Sequence, residues 1–132
     1  MPLPRAFAFS FTRFAGHCCQ IELHGDGLSV RQGDGYLEAA EGERIVPRPE
    51  QWQAFLAQLE QAGVRQWRRR YRNLDICDGT QWQLRLQTAG LNLRLSGDND
   101  FPPDAQWQLC LAALSRLVGR PIDPDGCPPA YL

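Results

Sequence analysis

The sequence contains no lysine, since all fourteen of its basic residues are arginine. This absence excludes a lysine Schiff base, a Walker phosphate-binding lysine and a Ser-x-x-Lys hydrolase arrangement, because each of these needs the lysine amine itself. A net excess of either charge is also absent, and the formal net charge of the 132 residues is −1. No overall field therefore draws the chain towards nucleic acid or an anionic membrane.

Long hydrophobic runs are also absent. The apolar stretch "AFAFSF" ends at Thr12 and Arg13, which is too early for the core of a signal peptide, and no later stretch approaches the length of a membrane span. The cysteines are odd in number and have no framework spacing, which favours a reducing compartment; they are Cys18, Cys19, Cys77, Cys110 and Cys127. We therefore expect a cytoplasmic protein that does not enter a membrane.

Recognisable catalytic and metal-binding signatures are missing as well. There is no Gly-x-Ser-x-Gly elbow, no glycine-rich phosphate loop and no Cys-x-x-Cys pair. Cys18 and Cys19 would point to opposite faces of a strand, and the consecutive Asp98, Asn99 and Asp100 suit a turn better than a calcium loop. The sequence predicts no metal and no cofactor and leans against an enzyme, although a pair of carboxylates brought together by the fold stays open.

What the sequence does contain is clear alternation of apolar and polar residues. Phe7, Phe9 and Phe11 recur at every second position, and the pattern continues through residues 6–33 as three strands, with a short edge strand expected at 44–46. A second alternating region, "TQWQLRLQ" followed by "LNLRLS", is separated by a turn at Ala89-Gly90. One apolar side and one polar side are typical of an antiparallel sheet that is covered on one face and exposed to solvent on the other.

Two further segments have the period of an amphipathic helix. In "PRPEQWQAFLAQLEQAG" the apolar side chains fall at i, i+3, i+4 and i+7, with a proline at the start and Gly63 at the end. The segment "PPDAQWQLCLAALSRLVG" repeats this pattern, opens with Pro103 and Asp104 and ends at Gly119. Both segments therefore predict helices with one buried side.

The order of these elements predicts an α+β fold. Three strands, a helix, about three more strands and a second helix form one antiparallel sheet of about six strands, with both helices on the same face. We expect residues 1–120 to form this single domain and residues 121–132 to form a proline-rich tail that lies extended or stays mobile.

Several of these residues form a pattern that resembles a loose group of small bacterial α+β domains without an assigned function. The pattern consists of W-x-x-x-Y, D-G-x-x-W and G-x-N-x-(F/Y)-P, and it is carried here by Trp67, Tyr71, Asp78, Gly79, Trp82, Gly97, Asn99, Phe101 and Pro102. The similarity extends over roughly residues 7–117. It implies the fold described above and implies no chemistry, because no activity accompanies the pattern.

The most concentrated chemical feature is the arginine-rich segment "WRRRYRNLDICDG". If it is extended, Trp67, Arg69 and Tyr71 face one way and Arg68, Arg70 and Arg72 face the other. Such a segment suits a solvated edge strand, where charges oppose edge-to-edge pairing, and it also carries the residue types that dominate protein interfaces.

The function predicted from the sequence is therefore a non-catalytic module that binds another protein. Its contact would be the exposed sheet face or the edge formed by Trp67, Arg68, Arg69, Arg70, Tyr71, Arg72 and Asp78, with Asn99 nearby. The alternatives are single-stranded nucleic-acid binding through Arg68–Arg72, where rings would stack on bases, and an enzyme with an unrecognised site. Nucleic acid is the less favoured partner because the chain has no net positive charge.

Overall fold

The computed structural model describes residues 4–13, 17–34, 42–73 and 79–122. These residues form seven strands and two α-helices, in the order β1 (Ala6–Arg13), β2 (His17–His24), β3 (Gly27–Asp34), β4 (Glu43–Ile45), α1 (Pro49–Gln61), β5 (Arg70–Arg72), β6 (Thr80–Thr88), β7 (Leu91–Asp98) and α2 (Asp104–Val118). A short 3₁₀ turn, Val64–Gln66, follows α1. The predicted α+β class is confirmed, with one more strand than expected.

All seven strands belong to one sheet, in the spatial order β4-β3-β2-β1-β6-β7-β5. Neighbours are antiparallel except for β5 and β7, which are parallel. The expectation of an entirely antiparallel sheet is therefore corrected to a mixed sheet. The chain reverses direction twice, once between β5 and β6 and once in the β6–β7 hairpin, so β7 runs in the same direction as β5 beside it.

The apolar face of the central strand β1 shows how the sheet and the helices meet. Phe7, Phe9 and Phe11 are at most 3% exposed. The Phe7 ring packs edge-on against Trp52 of α1 at 5.8 Å, and the Phe9 ring lies 6.3 Å from Trp107 of α2. Because residues two apart on a strand share a face, both helices cover the same side of the sheet, as predicted.

The helix ends also follow the predicted chemistry. Pro49 opens α1, where its missing N–H costs nothing, and Gln51 accepts a hydrogen bond from the Arg48 backbone N–H at 2.8 Å. Gly63 and Gly119, which follow α1 and α2, both have positive φ angles (80° and 73°) that glycine adopts without strain. Local residues therefore set where each helix starts and stops.

The chain beyond α2 stays attached to the domain as far as Ile122. This side chain is buried, and its backbone N–H donates a hydrogen bond to the Ser115 hydroxyl. The tail was predicted to begin at residue 121; Ile122 packs on the domain, and residues 123–132 lie outside the described residues.

Candidate functional site

The structure places the two aromatic residues of the arginine-rich segment in the core. Trp67 and Tyr71 are 6% and 5% exposed, and both rings pack against Trp82, at 6.4 and 6.1 Å. The Trp67 indole N–H donates to the Ala62 carbonyl at 3.2 Å and to the Gln106 side chain at 2.8 Å. These rings therefore belong to the core at this end of the sheet and expose almost none of their surface.

The arginines of the same segment are exposed, but they are not equivalent. The Arg68 guanidinium lies 4.5 Å from the centre of the Tyr71 ring and 3.6 Å from the Asp100 carboxylate, so its charge is partly compensated within the domain. Arg69 precedes β5, and its carbonyl accepts a hydrogen bond from the Ser96 N–H. Arg70 and Arg72 flank buried Tyr71 and pair in register with Ser96 and Asp98 of β7.

Asn99 has a conformational role in the structure. Its φ angle is +58°, its backbone N–H donates to the Thr80 carbonyl at 2.8 Å, and its side-chain amide donates to Asp98 at 3.2 Å. A Cβ added at Gly79 would lie 1.6 Å from the Asn99 side-chain oxygen, so this position accommodates only glycine without a shift. Asp78, the remaining predicted contact residue, lies outside the described residues.

A second close approach involves Gly97 and Trp82. A Cβ at Gly97 would lie 1.8 Å from the Trp82 indole nitrogen, which donates a hydrogen bond to the Asp100 carbonyl at 2.9 Å. The glycines, asparagine and tryptophans of the recurring pattern therefore meet at one corner of the domain as packing residues. The described residues of the pattern therefore account for the packing of this corner.

The side of the sheet opposite the helices, here called the open face, is polar. Its central part carries Ala8 and Ser10 on β1, Gln20 and Glu22 on β2, Gln83 and Arg85 on β6, and Arg94 and Ser96 on β7. These side chains are half-buried or exposed, whereas the residues that alternate with them on β1 and β6 are buried. Both helices lie on the other side, so neither of them covers this face.

Four arginines project from one half of the open face: Arg70, Arg72, Arg85 and Arg94, here called the arginine surface. Arg85 and Arg94 are direct cross-strand partners, and like charges in that position repel each other. Within the described part of the chain, none of the four lies within 4 Å of a carboxylate oxygen. The arginine surface therefore concentrates four positive charges, with Asp98 as the register partner of Arg72, on a chain whose net charge is close to zero.

A shallow cavity of about 390 Å³, here called the central groove, adjoins the arginine surface. Side chains of the open face line it: Ala8, Ser10, Gln20, Glu22, Gln83, Arg85, Arg94 and Ser96. The Glu22 carboxylate is held on one side by the Gln20 amide at 2.5 Å and on the other by the His24 imidazole at 3.3 Å. The groove thus has a carboxylate on one wall and two guanidinium groups on the other.

The arginine surface was only partly visible in the sequence. Arg85 falls on the wet side of the strand "TQWQLRLQ", and Arg70 and Arg72 belong to the arginine-rich segment. Arg94 becomes significant only through its register opposite Arg85, which the turn at residues 89–90 sets. The register of the β6–β7 hairpin, had it been assigned from the sequence, would have placed Arg85 opposite Arg94.

The free thiols Cys19 and Cys110 lie in the core and are chemically shielded. Burial raises the pKa of each from the ordinary value of 9.0 to about 12, and the neighbouring Cys18 adds to the effect at Cys19. A thiol in this state is a poor nucleophile and a poor metal ligand at neutral pH.

This burial predicts a loss of stability at high pH. Above about pH 9 the two thiols ionise in the unfolded chain, while the folded chain keeps them protonated up to about pH 12. The unfolded state then binds fewer protons, so the free energy of unfolding should fall by about 1.4 kcal/mol per pH unit for each thiol. Urea denaturation at pH 9–11 should show a shallower fall for Cys19→Ala/Cys110→Ala than for the wild type, and equal slopes would contradict the assignment.

Comparison of the chain with protein-family models, with curated proteins and with solved structures finds no match. Neither described helix has the length and apolar character that a membrane crossing needs. Among the described residues, no three His, Cys, Asp or Glu side chains come together as a metal site requires. The structure itself defines the class: an α+β domain with helices on one side of a mixed sheet and a polar, arginine-rich face on the other.

Proposed function

We propose that this chain is a non-catalytic domain that binds an acidic segment of another protein through its arginine surface. Four arginines on the open face support the proposal: two of them are directly opposed, and none has a guanidinium nitrogen within 4 Å of a described carboxylate oxygen, although Arg72 is the register partner of Asp98. A carboxylate-bearing partner would supply counter-charge to these guanidinium groups.

Arginine is well suited to this role. Its planar guanidinium forms two parallel hydrogen bonds to a carboxylate, and it is less strongly hydrated than a lysine amine, so it is desolvated at lower cost. Arg85 and Arg94 are carried by the long hairpin strands β6 and β7, whose opposite sides pack against the core, fully for Trp82, Leu84 and Leu86 of β6 and partly for β7. The scaffold therefore presents the charges from rigid elements, which reduces the entropy lost on binding.

The alternative of single-stranded nucleic acid has less support. Sequence-tolerant binding of single strands depends on aromatic rings on which bases stack. Among the described residues, the rings near the arginine surface are buried: Trp67, Tyr71 and Trp82 are all at most 6% exposed. A surface with guanidinium groups and no exposed ring favours carboxylates over bases.

The enzyme alternative has less support too. The open face brings Glu22 and His24 together, but no described hydroxyl or thiol hydrogen-bonds to either of them. The proposal places the protein in the cytoplasm, which the buried, reduced thiols of Cys19 and Cys110 support.

The test is a selection from a random peptide display library, followed by affinity measurements on the selected peptides. We expect recovered sequences to be enriched in Asp and Glu, and the double variant Arg85→Gln/Arg94→Gln to bind them about tenfold or more weakly at low salt. Arg116→Gln, at an exposed arginine on α2, is the matched control and should bind like the wild type.

Two results would overturn the proposal. One is a set of selected peptides with no acidic enrichment, and the other is equal binding by the wild type and by Arg85→Gln/Arg94→Gln. A labelled oligo-dT at low salt provides the second arm of the experiment. If the oligo-dT binds more tightly than the acidic peptides, and its affinity falls steeply with salt, the ligand of the arginine surface is nucleic acid and not an acidic protein segment.

A further inference from the structure

The central groove has opposite charges on its two walls. Glu22, Ala8, Arg85 and Arg94 follow one another across β2, β1, β6 and β7 as successive cross-strand partners, so they form one row. With neighbouring strands about 4.8 Å apart, the Glu22 backbone is about 10 Å from that of Arg85 and about 14 Å from that of Arg94. The side chain between them is only the methyl group of Ala8.

The two walls do not neutralise each other. Among the described residues, no guanidinium nitrogen lies within 4 Å of the Glu22 carboxylate, which contacts the neutral Gln20 amide and the His24 ring. An anion placed against Arg85 and Arg94 is attracted by them but repelled by Glu22 from the other side of the same cavity. A ligand that carries both charges satisfies both walls at once.

The neighbouring row of the groove offers hydrogen bonds without charge. Gln20, Ser10, Gln83 and Ser96 are successive cross-strand partners on the same four strands. Their amides and hydroxyls can donate to and accept from peptide groups. The volume of about 390 Å³ lies at the lower end of the range for ligand sites. A few residues of an extended chain fit this shape and chemistry.

We infer that the central groove binds a segment of the partner protein that has opposite charges at its two ends. Its acidic residues lie on the arginine side of the groove, and a lysine or arginine lies over Glu22. An extended peptide advances about 3.3 Å per residue, so a separation of about 10–14 Å places the opposite charges about three or four positions apart in the peptide sequence. This inference rests on the proposed function, because it assigns the order of charges in the segment that the arginine surface binds.

Three labelled synthetic peptides test the inference by fluorescence anisotropy. The ordered peptide has two glutamates, two serines and then two lysines; the alternating peptide has the same composition with the charges interleaved; the acidic peptide has glutamine in place of lysine. The protein variants are Glu22→Gln and, as the matched control, Glu50→Gln at an exposed glutamate of α1.

We expect the ordered peptide to bind the wild type about tenfold more tightly than the alternating one, because only the ordered peptide contacts both walls. Glu22→Gln should abolish this preference and should tighten binding of the acidic peptide, whereas Glu50→Gln should change neither. Equal binding of the ordered and alternating peptides, or a preference that survives Glu22→Gln, would overturn the inference.

The same data separate this inference from the proposed function. If the acidic peptide binds in a way that depends on Arg85 and Arg94 while the ordered peptide has no advantage, the inference about charge order fails and the acidic-partner proposal is supported. If no peptide binding depends on Arg85 and Arg94, the proposed function fails and the inference fails with it.

Discussion

Replacing Trp107 with alanine is expected to lower the free energy of unfolding by about 3–5 kcal/mol, the usual cost of removing a buried tryptophan side chain. The Trp107 ring is 5% exposed. Ring centres of Trp82, Phe101, Phe9 and Trp67 lie within 4.8–6.3 Å of it, so its loss leaves a cavity that rigid neighbours fill poorly. Urea denaturation followed by circular dichroism measures the effect.

The matched control for this variant is Leu109→Ala on the same helix. Leu109 is 48% exposed, so its removal should change the free energy of unfolding by about 0.5 kcal/mol or less. Similar values for Trp107→Ala and Leu109→Ala would contradict the placement of α2 against the sheet.

Replacing Gly97 with alanine is expected to cost about 3 kcal/mol, although it adds only one methyl group. The new Cβ would lie 1.8 Å from the Trp82 indole nitrogen and 2.5 Å from the Asp100 carbonyl oxygen. Strand, ring and turn cannot all keep their positions, and overpacking of this kind costs about 1–3 kcal/mol and occasionally more. Thermal or urea denaturation of Gly97→Ala measures this loss.

A double-mutant cycle identifies the clash as the cause. Trp82→Phe removes the indole nitrogen, so Gly97→Ala should cost at least about 1 kcal/mol less in that background. Gly90→Ala, in the β6–β7 turn where an added Cβ meets nothing within 4 Å, is the control and should change stability by about 0.5 kcal/mol or less. A Gly97→Ala variant as stable as Gly90→Ala would show that Trp82 does not lie over Gly97.

The regular parts of the fold could be predicted because their signal is local and repeated. Phe7, Phe9 and Phe11 form a period-two pattern, and both helices carry an apolar stripe between a proline and a glycine. Each pattern specifies which side of the strand or helix is buried. Together they were enough to predict one sheet with both helices on the same face.

The short strand β5 could not be predicted in the same way. Three residues, Arg70–Arg72, are too few to show a period, and their partner β7 is chosen by the hairpin that brings it there. The orientation of the aromatic residues beside it was equally hidden. Trp67 and Tyr71 are buried because both rings pack against Trp82 and because the Trp67 indole donates a hydrogen bond to Gln106. Both partners lie further along the sequence.

The candidate site depends on register more than on composition. The open face was predicted as one possible contact surface, and its polar side chains follow from the alternation of β6 and β7. The opposition of Arg85 to Arg94, and the row that joins both to Glu22 through Ala8, exist only once four strands are aligned. A shift of one residue would have sent these side chains to the other face.

Mapping of backbone amide chemical shifts tests the proposal that this domain binds its partner through the arginine surface. A ¹⁵N-labelled sample titrated with the acidic peptide at low salt should show shifts concentrated at residues 83–85 of β6 and 94–96 of β7, weakening as salt is added. Shifts concentrated on α1 and α2, or no shifts at β6 and β7 when the peptide is saturating, would contradict the claim.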